Sequence, residues 1–259
     1  MGHCTLPVGE PPVAPPPTAA FEGPQDAADA IYGSGAMAAA RDAMRKAHGG
    51  VAVHKMLLDR AEARLRDGED GYLIDGQAWF GGDIDKAWFK TELEGGFDEG
   101  VDEAEIQALW SHAIGPWFDL QTGVRYDARS GSDRAHLVLG VQGLAPYWLE
   151  TEAAVFLSTK GDITARAEAE HDVRVTQTVI LQPRAELNFS LQDVPELALG
   201  SGLTNVALGA RLRYQVTPTF APYVGVEYDR AFGDTGRFRT ARGESRGGWN
   251  ILLGVRTWF

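Results

Sequence analysis

One cysteine, Cys4, occurs in 259 residues, which excludes an internal disulfide framework and any metal site built from several thiolates. No stretch of about 18 apolar residues is present, so a transmembrane helix is excluded. That absence leaves the other membrane-spanning solution open, a closed barrel whose alternating strands average to an unremarkable hydropathy. Basic residues are the minority: 24 Lys and Arg against 36 Asp and Glu give a formal net charge of −12. Such a balance argues against nucleic acid as a partner and is compatible with cations. Soft metal ligands are scarce, with four Met and six His. No basic segment followed by an apolar one opens the chain, so a secretory signal is expected to be absent or already removed, and Met1-Gly2-His3 to be a processed or recombinant start.

What the chain does have is glycine, 31 residues, and aromatics at 10%, which suit a barrel and equally a soluble β-sandwich. Three zones follow one another. Residues 1–24 are proline-rich and are expected to form an extended, mobile tail. Residues 25–47 are alanine-rich, with Met37, Ala40, Met44 and Ala47 at helical spacing, and predict a short helix ending at Gly49-Gly50. From Val53 onward the period is two. Phe118, Leu120, Thr122, Val124 and Tyr126 alternate with Asp119, Gln121, Gly123, Arg125 and Asp127, and Arg166, Glu168, Glu170 and Asp172 share one face. The boundaries implied are an extension over 1–52 and a β domain over 53–259.

Runs separated by turn residues predict about twelve strands, near 54–65, 72–81, 84–95, 102–113, 117–127, 134–143, 147–158, 162–174, 178–190, 204–216, 220–231 and 249–259. An even number lets a single-chain barrel close with both termini on one side. The expected fold is therefore all-β: a closed antiparallel transmembrane barrel of about twelve strands behind a partly helical or disordered periplasmic extension. Three features favour a membrane barrel over a soluble one. Strands of about 11 residues, tilted by about 40°, span a bilayer core, whereas soluble strands average about 5–6 residues. Short turns, such as Gly82-Asp83 and Gly115-Pro116, alternate with longer connections, notably 191–203 and 232–248. Trp79, Phe80, Trp88, Trp117, Phe118, Tyr147, Trp148, Phe220, Tyr223 and Trp258 all lie beside a short turn or the C-terminus, as one aromatic girdle would. The last strand ends in Trp258-Phe259, similar to the terminal aromatic signal used in outer-membrane assembly.

The polar face carries Arg60, Glu62, Glu92, Glu105, Arg125, Glu168, Arg184, Arg211 and Glu227 among others. Both signs suit a salt-bridge lattice inside a narrow lumen, and the carboxylate excess would attract cations. His54 and Met56 stand two apart on the first strand and are expected to face the lumen together. An imidazole beside a thioether suits copper better than calcium or magnesium. His48 could join them, and His136 with nearby carboxylates is the alternative site. His112 and His171 fall on the apolar face as interface histidines. His3 and Cys4 belong to the tail.

Ala78-Trp79-Phe80-Gly81-Gly82-Asp83, Gln121 to Asp127, Gln142 to Tyr147, Leu181 to Glu186, Leu199 to Leu203, Arg211 to Tyr214, Phe220 to Val226 and Val255 to Phe259 together resemble, in order, the copper resistance protein B (CopB/PcoB) family. The resemblance covers about 53–259. It implies a monomer in the outer membrane of a Gram-negative bacterium, in contact with lipid, that binds copper ions and moves or sequesters them. It further implies a periplasmic multicopper oxidase as partner and no catalysis by the chain itself. The family's N-terminal region is rich in Met and His, and here it is Pro- and Ala-rich. Copper storage by the tail is therefore not expected. Two rivals remain: a structural or diffusion barrel without metal specificity, and an outer-membrane hydrolase. The hydrolase needs a serine beside an outward histidine, and neither His112 nor His171 has one as a same-face neighbour on its own strand.

Overall fold

The computed structural model describes residues 26–48, 50–66, 70–98, 100–129 and 132–259. The expected tail over 1–24, with His3 and Cys4, lies outside the described residues. Between Gly50 and Val51 the chain divides into two units. In the first, the expected helix is present as two, α1 (Asp29–Tyr32) and α2 (Ser34–His48). Gly33 breaks them apart with a φ of 83°, which glycine adopts at little steric cost. Arg41 donates to Asp29 at 2.6 Å, and that hydrogen bond holds the Asp29 carboxyl below its ordinary range. Neither helix buries a residue.

The second unit is the barrel. Its strands are β1 (Val53–Arg66), β2 (Gly71–Gly81), β3 (Asp85–Gly96), β4 (Gly100–Ala113), β5 (Phe118–Arg129), β6 (Arg134–Ala145), β7 (Leu149–Ser158), β8 (Ile163–His171), β9 (Val173–Arg174), β10 (Val179–Ser190), β11 (Gly202–Tyr214), β12 (Phe220–Ala231) and β13 (Gly247–Trp258). The two-residue β9 continues β8 along β10 past Asp172, so twelve staves stand in the wall. Neighbours in sequence pair antiparallel, and β13 pairs with β1, leaving no open edge. Closure satisfies every strand's backbone groups, the requirement that lipid imposes. A stave of about 12 residues, tilted by about 40°, rises about 30 Å, the thickness of a hydrocarbon core.

Period two divides the residues cleanly between the two faces. Outward side chains of the middle belt are apolar and open: Leu137 is 62% and Leu139 58% exposed, which water would not tolerate around a whole wall and lipid does. The aromatic ring at the short-turn end differs from expectation in direction. Phe80, Tyr147 and Trp148 are exposed on the outside, but Trp117 lines the luminal mouth, Trp79 and Trp88 stack on each other along the luminal parity, and Tyr223 is buried inside. Proximity to a turn fixes a residue's height in the wall, while parity fixes its face. A second aromatic set stands at the other end, where Tyr72 meets Phe97 and Tyr228 meets Trp249.

Both barrel termini and the short turns at 82–84, 114–117, 146–148, 175–178 and 215–219 lie at one end, the periplasmic end in outer-membrane barrels. At the far end the connection 159–162 is also short, whereas 191–201 and 232–246 are long loops. The second contains α3 (Gly233–Ala241), expected from sequence only as loop. Its Gly, Thr and Asp content gives little helix propensity, and contacts hold it instead. The Gly200 amide donates to Thr235 Oγ1 at 2.8 Å, and Arg242 donates to the Pro195 and Glu196 carbonyls at 2.8 and 3.3 Å. Glu196 accepts from Arg134 and from Lys160, each at 2.7 Å, and Arg239 approaches Asp229 at 4.0 Å. Arg134 and Asp229 are luminal positions, so the two loops fold inward as a cap.

Glu196 is the latch of this cap. Hydrogen bonding from Lys160 keeps its carboxyl below the ordinary range, so the latch is intact at neutral pH and is lost only as acid titrates it at that lowered value. Glu196→Ala is expected to raise trypsin cleavage at Arg237, Arg239 and Arg242 several-fold on intact cells, because cleavage follows the opened population. Equal cleavage of variant and parent would show that Glu196 does not hold the cap.

Candidate functional site

The lumen is filled in its middle by two kinds of packing. On one side lies an ion-pair lattice. Arg211, 1% exposed, donates Nε and Nη2 to the Glu62 carboxylate, both at 3.1 Å, and Nη2 also to Glu227 at 3.2 Å. Tyr223 donates its hydroxyl to Glu62 at 3.0 Å, and Arg64 stands 3.0 Å from Glu62 and 3.5 Å from Glu227. Arg184 holds Glu168 and Glu186, both at 2.6 Å, and Arg60 holds Asp75 at 2.7 Å and Glu92 at 2.9 Å. On the other side Leu109, Val138, Ala154 and Phe156 form a small apolar cluster, with Trp88 beside it and the Arg125 guanidinium 4.6 Å from the Phe156 ring. Luminal Gly123 and Gly140 make room there: a Cβ on Gly123 would strike the Ala108 carbonyl, and one on Gly140 would press on Ala154.

Below this middle layer, toward the short-turn end, a cavity of about 370 Å³ remains. Pro116 and Trp117 of one short turn and Leu144 near the end of β6 form its rim. Its walls carry nine carboxylates (Asp59, Asp75, Glu92, Glu105, Asp119, Glu150, Glu152, Glu168 and Glu170) and three cations, Arg60, Lys90 and Arg166, while Arg256, Lys86, Arg125 and Arg184 reach in to pair with Asp59, Asp119, Glu105 and Glu168. Glu150 and Glu170 face each other across the β7–β8 pairing and, among the described residues, have no salt-bridge partner. The expected luminal lattice is therefore present, and Glu150 and Glu170 leave it a small carboxylate surplus at the short-turn end.

The predicted ligands are not brought together. His54 and Met56 were expected in the lumen, and the wall turns them the other way. A bulge in β1 between Leu58 and Arg60 inserts one residue against both neighbours, β2 and β13. Beyond it Arg60, Glu62 and Arg64 point inward; before it the parity is reversed, because Leu57 lies opposite luminal Gln77. His54 and Met56 lie opposite Phe80 and Ala78 on the outer face, with Met56 59% exposed. His48 ends α2, exposed, in the other unit. Only His136 is luminal: it is 7% exposed, packs edge-on against Phe156, and has an Nδ1 without a hydrogen-bond partner 3.8 Å from Asp127 Oδ2. Asp127 is itself held by Arg125 at 2.6 Å. Among the described residues no three His, Cys, Asp or Glu side chains form a metal cage.

His112 and His171 lie on the outer face as expected. His112 Nδ1 is 2.8 Å from Asp85, which also accepts from Trp110, and His171 Nδ1 is 3.2 Å from the Trp148 carbonyl. Neither ring has a serine hydroxyl as partner among the described residues, the arrangement a hydrolase would need. Sequence reasoning missed the apolar luminal cluster, although parity carried along β4 from Glu105 through Gln107 already places Leu109 inside.

A family model described as copper resistance protein B precursor (CopB) matches residues 52–259. The chain belongs to the copper resistance protein B family. Copper resistance protein B of Escherichia coli is 40% identical over 212 residues, covering 82% of this chain and 71% of that protein. A copper resistance protein B homolog of Pseudomonas syringae pv. tomato is 36% identical over 225 residues, covering 85% and 76%. Among solved structures the NanC porin superposes with a TM-score of 0.53 at 12% identity, over 77% of this chain and 98% of the porin, a likeness of fold alone. The family and the barrel place the chain in the Gram-negative outer membrane, with a role in copper resistance and a wall in contact with lipid.

Proposed function

We propose that the barrel collects copper ions from the periplasm in its acidic cavity and sequesters them there or passes them on into the lumen. The observation carrying this reading is the carboxylate-lined cavity, in which Glu150 and Glu170 face each other without a salt-bridge partner among the described residues, beside the short-turn mouth and beneath a filled lumen and a capped far end. Such a bowl lowers the energy of any cation entering from that side. Carboxylates alone do not choose copper over magnesium; a soft or nitrogen ligand must do so. His136 supplies an unpartnered imidazole inside the wall, but on the far side of the middle layer, opposite Ser158, so we assign it as a ligand for copper passed on into the lumen and not for ions held in the cavity. A periplasmic multicopper oxidase would meet this copper at the same mouth.

Titration of the full chain with Cu(II) and Cu(I) in the presence of excess Mg²⁺ tests the reading. Specific copper binding is expected, weakened in His136→Ala and unchanged in the double variant His54→Ala, Met56→Ala. Copper binding no stronger than that of Mg²⁺ would refute it and leave a structural barrel, which the filled middle layer also suits.

A further inference from the structure

The three cations of the cavity wall are not held alike. Arg60 is fixed by Asp75 and Glu92, and Arg166 lies 3.0 Å from Glu105 and 3.8 Å from Glu186. Lys90 has one carboxylate partner, Glu152, at 2.6 Å. The pair joins β3 to β7 past three intervening strands, so the lysine stem reaches across the cavity rather than along its wall. Glu152 is also the wetter partner, with its side chain 33% exposed against 13% for Lys90. An ammonium on a flexible stem acts as a point charge and lacks the planar fork with which the two arginines grip their carboxylates.

We propose that Lys90 is a tethered counter-cation that determines which ions the cavity accepts. Its ammonium occupies Glu152 in the empty state, and an incoming cation gains that carboxylate only by displacing it. Monovalent ions offer no more charge than the lysine already supplies, whereas a divalent ion does, so the bridge discriminates by charge. This rests on the reading that the cavity collects cations, but it is independent of which metal is collected.

Binding of Mn²⁺, followed by electron paramagnetic resonance on the full chain, tests the proposal with a hard ion that carboxylates hold without His136. Lys90→Met is expected to bind Mn²⁺ about tenfold more tightly, since a competing unit charge is removed from a partly wet site. Lys90→Arg should bind Mn²⁺ no more tightly than the parent, because a forked guanidinium is harder to displace from Glu152, and adding Glu152→Gln to Lys90→Met should abolish the gain. Lys90→Gln provides the same comparison if the Met variant fails to show the folded band's heat-dependent gel shift. Equal Mn²⁺ affinity in the parent and in a folded Lys90→Met or Lys90→Gln variant would overturn the proposal. Tighter Mn²⁺ binding without specific copper binding would uphold Lys90's role and refute the copper assignment; equal Mn²⁺ binding with specific copper binding would do the reverse.

Discussion

Arg211→Ala is expected to destabilise the barrel by about 3–5 kcal/mol, the cost of removing one partner from a buried ion pair. Arg211 is 1% exposed and lies between Glu62 and Glu227, themselves 3% and 2% exposed. Without the guanidinium the two carboxylates repel each other inside the wall, with Arg64 left as the nearest common cation. Unfolding in denaturant from lipid vesicles, followed by tryptophan fluorescence, measures the loss. Arg211→Lys should recover only part of it, because one ammonium cannot reproduce two parallel bonds to Glu62 and a third to Glu227. A loss below about 1 kcal/mol in the alanine variant would place Arg211 among weak, solvent-screened pairs.

Leu139→Arg attacks the same wall from outside, with an expected cost of about 2–4 kcal/mol for a cation near the bilayer midplane. Leu139 is 58% exposed and sits midway along β6, between luminal Val138 and Gly140. The luminal lattice accommodates many arginines because carboxylates meet them; on the lipid face there is neither a partner nor water. The same substitution at Tyr147, 90% exposed at the periplasmic rim, should cost little, since depth and not outward direction sets the penalty. The two variants can be compared by the same unfolding measurement, and equal losses would contradict a membrane-embedded belt.

The wall was legible because lipid outside and charge inside force strict alternation, so each strand announces its own face and length. Trp117 to Asp127 alternates without a break, and β5 runs Phe118–Arg129. Height and face separate at the aromatics: a turn nearby told where Trp79 and Tyr223 lie along the axis, but only parity against Gln77 or Glu227 told that they turn inward. The α3 cap was not legible, since its helix depends on Thr235 accepting from Gly200 and on Arg242 reaching Pro195, contacts between loops far apart in sequence. The cavity was legible in charge and not in place: the carboxylates were evident, but which of them lack partners depends on arginines contributed by other staves.

The misplaced pair His54 and Met56 had a visible warning. Leu57-Leu58-Asp59-Arg60 sets two apolar residues together and then two charged ones, which no uninterrupted alternation allows. One inserted position there makes the opening stretch of β1, Val53 to Leu58, an inverted copy of the rest. Spacing between two residues on opposite sides of Asp59 therefore carries the opposite meaning from the same spacing elsewhere in the wall: an even number separates faces and an odd number joins them. Removing one residue at Asp59 would present His54 and Met56 to the lumen instead of to the membrane, so a change of chain length by one, with no change of ligand, relocates the chemistry of the barrel's entrance.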